Sequence, residues 1–292
     1  MNTESVWQGL HDCPYEKTLS LAKHSTIGCG GFARIAYFPQ SIDGIVALIK
    51  RLQQENAPFY AVGNMSNVLP SSGISKRIFV CTKGVRETDI HRGFFGAGVT
   101  SGELLRICKQ AGKSGAEFLE GIPCTLGGAA YMNAGVAGAY MQNIVDRVLI
   151  YDGERMRELP LEECEYAYKT SVFMQREWVI LGVWLRLQDA DGKQIEERLR
   201  FYKKRRLHLP KGKSMGCVFQ NPDGDTAGRL IEGAGLKGLR LGGAVVSTTH
   251  ANFILNDDAA TSEQVKTLIA VVKNAVFEQY KIRLKEEIEY LE

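Results

Sequence analysis

The sequence predicts a mixed α+β fold, and three observations carry that expectation. A helical stretch at 41–56 is accompanied by strand-like runs at 58–62 and 78–81, as in a βαβ unit. An alternating apolar run at 179–187 reads as a strand with one buried face. A second long helical pattern at 261–277 is followed by another alternating run at 282–290.

Each element has a local cause. Ile45, Leu48, Ile49 and Leu52 recur at helical spacing, and Ser41 can cap that helix. Thr100-Ser101-Gly102-Glu103 has the form of a capping box. Leu104, Ile107, Cys108 and Ala111 then share one helical face that stops at Gly112, which makes Cys108 a packing residue. Val179, Leu181, Val183, Leu185 and Leu187 alternate. The charged stretch 193–207 is read as a helix with Ile195, Leu199 and Tyr202 inward, leading to a C-terminal unit. Thr261 opens the next helix with Gln264 at the capping-box position. Ile282, Leu284, Ile288 and Tyr290 then alternate, which places Glu287 on the polar face of a final strand. The least periodic region is 209–228, and no internal repeat or low-complexity segment is visible.

Composition narrows the class. With 45% hydrophobic and 24% charged residues, the 292-residue chain can build a sizeable core. A net charge of +3, spread along the chain, does not argue for a nucleic-acid partner. The one dense basic run, Lys203-Lys204-Arg205-Arg206, reads as a solvated helix face or as a contact for an acidic small molecule such as a diphosphate. Seven cysteines without a Cys-x-x-Cys spacing argue against a disulfide framework and against a zinc site, so no metal is expected. The N-terminus shows no apolar signal region, and no apolar stretch approaches a ~20-residue membrane span. The expectation is a cytoplasmic protein without membrane insertion, a monomer or weak oligomer.

Three segments concentrate glycine and small residues: 63–67, 96–102 and 121–135. Glycine lets backbone N–H groups approach phosphate oxygens closely. The third segment runs into a short helix, whose N-terminus favours an anion. None has the Gly-x-Gly-x-x-Gly form that follows a first strand in a Rossmann site. Together they favour a dinucleotide with a long pyrophosphate path.

At this point the chain resembles a known family. Gly121-Ile122-Pro123-Cys124-Thr125-Leu126-Gly127-Gly128-Ala129-Ala130-Tyr131-Met132-Asn133-Ala134-Gly135 is similar to the Gly-Ile-Pro-Gly-Ser-x-Gly-Gly-Ala-x-x-Met-Asn-Ala-Gly signature of the bacterial UDP-N-acetylenolpyruvoylglucosamine reductases. Gly63-Asn64-Met65-Ser66-Asn67 resembles that family's Gly-Asn-Gly-Ser-Asn flavin loop. Ser214-Met215-Gly216-Cys217-Val218-Phe219-Gln220-Asn221-Pro222 resembles its Gly-Ser-x-Phe-x-Asn-Pro stretch. Similar motifs recur at 227–232, 235–238 and 242–253, and the likeness runs from about Leu21 to the end. It implies an FAD-binding fold of the vanillyl-alcohol-oxidase type, with two α+β flavin subdomains and a C-terminal α+β substrate domain. The implied division is 20–82, 83–198 and 199–292, with the final strand free to return to the flavin domain. The absence of an inserted Tyr loop resembles the family's smaller subtype.

The resemblance also implies roles. FAD would lie along Gly63, Asn64, Met65, Ser66, Asn67, Gly96, Gly98, Gly121, Ile122, Pro123, Thr125, Gly127, Gly128, Asn133, Ala134 and Gly135, with NADPH as co-substrate. The family's catalytic Ser, Arg and Glu fall on Cys217, Lys169 and Glu287. Tyr168, Arg205, Lys237 and Asn221 would meet the UDP-sugar; Arg205 aligns only if one residue is deleted near Pro210. The implied reaction reduces an enolpyruvyl double bond in peptidoglycan precursor synthesis. Departures gather at the site: Cys217 for Ser, Lys169 for Arg, Met65 and Cys124 for Gly, and Thr249 for Lys. The Asn-Thr-aromatic element is weakened to His24-Ser25-Thr26. A neutral thiol can donate a proton, whereas lysine keeps the charge and loses the planar fork of arginine. The alternative is a repurposed relative that binds flavin or a UDP-sugar without the reduction.

Overall fold

The computed structural model describes residues 13–136 and 138–292; the N-terminal stretch read above as lacking a signal region falls on residues 1–12, outside the described residues. The chain divides into two compact units. One comprises 13–16, 35–64 and 78–206, the other 17–34, 65–77 and 207–292. Among the described residues no helix is long and apolar enough to cross a membrane.

In the first unit, helix Ile42–Gln54 starts where Ser41 accepts a hydrogen bond from the Gly44 amide. Ile45, Leu48, Ile49 and Leu52 are buried among Ile35, Tyr37 and Val80. Each such side chain contributes about 1.5–3 kcal/mol over exposure. Strands Phe59–Val62 and Ile78–Cys81 pair in parallel, and Ala36 and Tyr37 pair in parallel with Phe79 and Val80. A second, antiparallel sheet runs in the order Met156–Pro160, Val145–Tyr151, Val179–Leu185, Phe94–Gly96, Thr88–Asp89.

Strand Val179–Leu185 corrects the expectation of one buried face. It is paired on both edges and buried on both faces, with Val179 and Leu181 in one core and Ile180, Val183 and Leu185 in another. The residues between the expected apolar positions, Ile180, Gly182 and Trp184, are not charged, and a register shift opposite Leu149 and Ile150 lets one strand serve two cores. Helix Ser101–Gln110 begins with the expected capping box between Thr100 and Glu103 and buries Cys108.

In the second unit, strands Lys213–Cys217, Phe253–Asn256, Ala244–Val246 and Arg240–Leu241 form an antiparallel sheet in that order. Helices Ala227–Gly233 and Ser262–Tyr280 share its core through Leu230, Ile231, Val265, Leu268 and Val272. Thr261 and Gln264 form the second expected capping box. The predicted final strand 282–290 is not there. Residues 281–288 contain only an isolated bridge at Glu286, and the strand proper is Glu289–Leu291, parallel to Val68–Pro70. The physical reason is a change of partner. Gln220 N–H donates to Lys285 O and Glu287 N–H to Val218 O, whereas Glu289 N–H donates to Asn67 O. Glu287 is half-buried and held by main-chain bonds, not displayed on an open strand face.

Candidate active site

The three glycine-rich segments meet in the first unit, as far as they belong to it. Leu126 N–H donates to Val99 O, Gly127 N–H to Ala97 O and Ser101 N–H to Cys124 O, which ties 96–102 to 121–128. Asn64 Nδ2 donates to Pro123 O at 2.8 Å. A Cβ on Gly63 would come within 2.2 Å of Thr125 Oγ1, and on Gly98 within 2.4 Å of Thr82 O. Gly63 thus leaves room for the Thr125 side chain, and Gly98 lets backbone lie against backbone. Gly128 differs: among the described residues outside its own helix backbone and chain neighbours, the nearest heavy atom to its Cβ position is Thr125 Oγ1 at 3.5 Å, an ordinary contact, so there is room beside it in the first turn of helix Leu126–Tyr131. Thr125 caps that turn by accepting from Gly128 N. Cys124, beside it, is buried, and burial pushes its thiol up to about 12 despite a hydrogen bond with Ser101. It is inert packing.

Gly63→Ala should therefore lower FAD affinity at least tenfold and also the melting temperature, because a 2.2 Å approach forces the two segments apart. Fluorescence titration of stripped protein with FAD measures it. Unchanged affinity would show that this junction does not shape the cofactor path.

Asn133 adopts a left-handed backbone (φ 45°) and is fully buried. Its amide donates to Gln142 Oε1 and to Ala167 O, and its oxygen accepts from Gln142 N–H. Ser171 Oγ donates to Tyr131 O at 2.6 Å. These bonds anchor a tight turn closed by reciprocal main-chain hydrogen bonds between Ala167 and Thr170, with Tyr168 and Lys169 at its tip. Lys169 is also left-handed (φ 55°), and Tyr168 is exposed, edge-on to Tyr140. Arg205 lies exposed in the last turn of helix Gly192–Arg206, with its guanidinium 4.9 Å from the Phe201 ring.

The second unit brings Cys217 and Glu287 together. Cys217 ends strand Lys213–Cys217 opposite Phe253, just past Gly216 at φ 78°. It alone of the seven cysteines is only half-buried. One residue on, Val218 O accepts from Glu287 N–H at 2.8 Å, while Glu287 O accepts from Asn67 Nδ2 at 2.9 Å. Asn67 thus links the predicted flavin loop to the main chain of Glu287. Met65, in the same loop, holds φ 49°, a conformation natural to the glycine of the resembling loop. Asn221 Oδ1 accepts from Ala227 N–H and holds helix Ala227–Gly233 to the loop after Cys217. Lys237 is paired with Glu232 at 2.7 Å, so an anion there must compete with that carboxylate. Lys169 lies in the first unit, with the other two predicted catalytic residues in the second.

Two residues escaped the sequence reading as individuals. Asn252, buried, brackets Phe219: its Oδ1 accepts from Phe219 N–H and its Nδ2 donates to Phe219 O. His250 is half-buried over Phe253, and burial, His208 and Lys237 hold its imidazole below the usual range. Both lie in the 242–253 motif, but nothing local marks their partners.

A flavin fits this chemistry. Close approach of the glycine-rich segments, room beside Gly128 and a capped helix start suit a pyrophosphate path. An FAD-binding domain model matches residues 33–154, so the chain is of the FAD-binding-domain class. The C-terminal domain model of UDP-N-acetylenolpyruvoylglucosamine reductase matches residues 208–291. Proteins named UDP-N-acetylenolpyruvoylglucosamine reductase are similar along nearly the whole chain. That of Methylococcus capsulatus is 39% identical over 88% of this chain and 86% of its own, and that of Bacillus velezensis 35% identical over 99% and 98%. The crystal structure of UDP-N-acetylenolpyruvylglucosamine reductase from Thermus caldophilus superposes with a TM-score of 0.85 at 32% identity, covering 96% of this chain and all of that one. The chain belongs to the UDP-N-acetylenolpyruvoylglucosamine reductase family.

Proposed function

We propose that the protein reduces UDP-N-acetylglucosamine enolpyruvate to UDP-N-acetylmuramate with FAD and NADPH, in the cytoplasm, for peptidoglycan precursor synthesis. The observation that carries the reading is the joining of the Cys217 and Glu287 segments through Val218, within the sequence of a family member. Residues 20–82 and 83–198 serve FAD, and 199–292 the UDP-sugar.

Bound FAD supplies the hydride. The chain's residues manage the charge and proton that follow. Hydride arrival on one carbon of the enolpyruvyl double bond leaves enolate charge on the carboxylate-bearing fragment. Lys169 and Glu287 stabilise that charge. Cys217 gives its thiol proton to the opposite carbon. Gly63, Asn64, Gly96, Gly98, Gly121, Ile122, Pro123, Thr125, Gly127 and Gly128 line the cofactor path, with Met65, Ser66, Asn67, Ala134 and Gly135 at its flanks. Asn133 serves it by holding the Tyr168–Lys169 turn. Tyr168, Asn221, Lys237 and Arg205 hold the nucleotide sugar.

The test is an anaerobic visible spectrum of the purified protein. NADPH should bleach a flavin band and the UDP-sugar should restore it. A protein that takes up no FAD ends the reading, and bleaching without restoration ends the substrate assignment. Arg205→Ala should weaken UDP-sugar binding by roughly tenfold or more, since a charge-assisted contact is worth ~1.5–3 kcal/mol. Unchanged affinity by calorimetry would remove Arg205 from the site and leave the family standing.

A further inference from the structure

Glu286 and Glu287 are consecutive carboxylates in a stretch without a regular strand. Both oxygens of Glu286 are engaged: Lys273 Nζ lies 2.5 Å from Oε1, and Tyr290 OH donates to Oε2 at 2.5 Å. Lys273 comes from helix Ser262–Tyr280 and Tyr290 from strand Glu289–Leu291, so the two grips approach from different elements. Burial, then Glu286 itself, pushes the Tyr290 phenol well above its ordinary range, which keeps it a donor. The Lys266 ammonium sits 5.5 Å from the Tyr290 ring and adds positive charge beside the clamp. On the main chain, Glu286 bridges to Phe219, and Glu287 is bonded at both its N–H and its C=O.

A carboxylate with a charged and a neutral donor on separate oxygens makes two charge-assisted bonds in fixed geometry. Glu286 is therefore committed to the protein and poorly placed to meet a ligand. Its clamp instead limits rotation of the peptide that carries Glu287. We propose that Glu286, held by Lys273 and Tyr290, is a positioning residue that sets Glu287 for its work on the substrate, and that of the two carboxylates only Glu287 meets it. This rests on the catalytic reading of Glu287 given above.

The test separates the half-reactions by stopped-flow in FAD-loaded Tyr290→Phe, Lys273→Met and Glu286→Gln, with Glu287→Gln alongside. Tyr290→Phe removes a single oxygen and is the variant that best keeps the fold. Reoxidation by the UDP-sugar should slow roughly tenfold, because small misplacement of a reacting group can cost up to ~10²-fold. Reduction by NADPH and FAD content should stay at wild-type values, even where the lost bonds lower the melting temperature. The Tyr290→Phe/Lys273→Met pair should approach Glu286→Gln, since all three act through one carboxylate. Wild-type reoxidation in all the clamp variants would overturn the proposal. So would a parallel fall of both half-reactions with loss of FAD, which marks a merely structural clamp. If Glu287→Gln itself reoxidises normally, the reading of Glu287 fails, and the clamp proposal with it. If only the clamp variants do, that reading survives alone.

Discussion

Cys217→Ala should bind FAD and be reduced by NADPH at the wild-type rate, yet lose reoxidation by the UDP-sugar by roughly 10²–10⁴-fold, the usual worth of a general acid. The asymmetry follows from the chemistry, because only the second half-reaction places a proton on carbon. The position suits the role. Cys217 is the half-buried cysteine, at a strand end turned by Gly216, and its neighbour Val218 is bonded to Glu287. Cys217→Ser should keep measurable reoxidation, since a hydroxyl can occupy the same place and donate a proton. Reoxidation of Cys217→Ala at the wild-type rate would remove Cys217 from the mechanism.

Asn252→Leu should destabilise the protein by roughly 2–4 kcal/mol, because two buried main-chain groups lose their partner and each costs ~1–3 kcal/mol unpaired. Those groups are Phe219 N–H and Phe219 O, bonded to the Asn252 side chain at 2.9 and 2.8 Å, both buried. The main-chain bond from Val218 N–H to Asn252 O survives the substitution, which limits the loss. Urea denaturation of the FAD-loaded protein measures it. A loss under about 1 kcal/mol would mean that the loop after Cys217 rearranges to satisfy Phe219 otherwise. Reoxidation should fall with stability here, in contrast to Cys217→Ala, where stability is kept.

The candidate site was legible as a set of long motifs. Cys217, Lys169 and Glu287 were singled out that way, and the role of each is assigned by resemblance. Gly128 and the cap at Thr125 were legible in kind, as glycine beside a helix start. Gly63, Gly98 and Gly127 were read as phosphate-facing glycines, and the structure gives them a second reason: protein atoms occupy the space a Cβ would need. Asn133 shows the same duality, since its side chain is spent on Gln142 and Ala167. Sequence cannot separate a glycine or asparagine kept for a ligand from one kept for close packing, because both demands select the same residue.

By itself the sequence determined the helices, their caps and the α+β character. Ser41, Thr100 and Thr261 each cap the helix expected of them, because a cap is a bond between residues three apart. Only the tertiary structure decided the rest. Val179–Leu185 became a two-faced central strand because sheets closed on both its edges. The run 282–290 lost its strand because Gln220, Val218 and Asn67 drew its main chain in turn. Asn67 and Glu287 are 220 residues apart in sequence and bonded in space. Periodicity reports which side chains avoid water, whereas the partners of a main chain are set by whatever the finished core brings within hydrogen-bond reach.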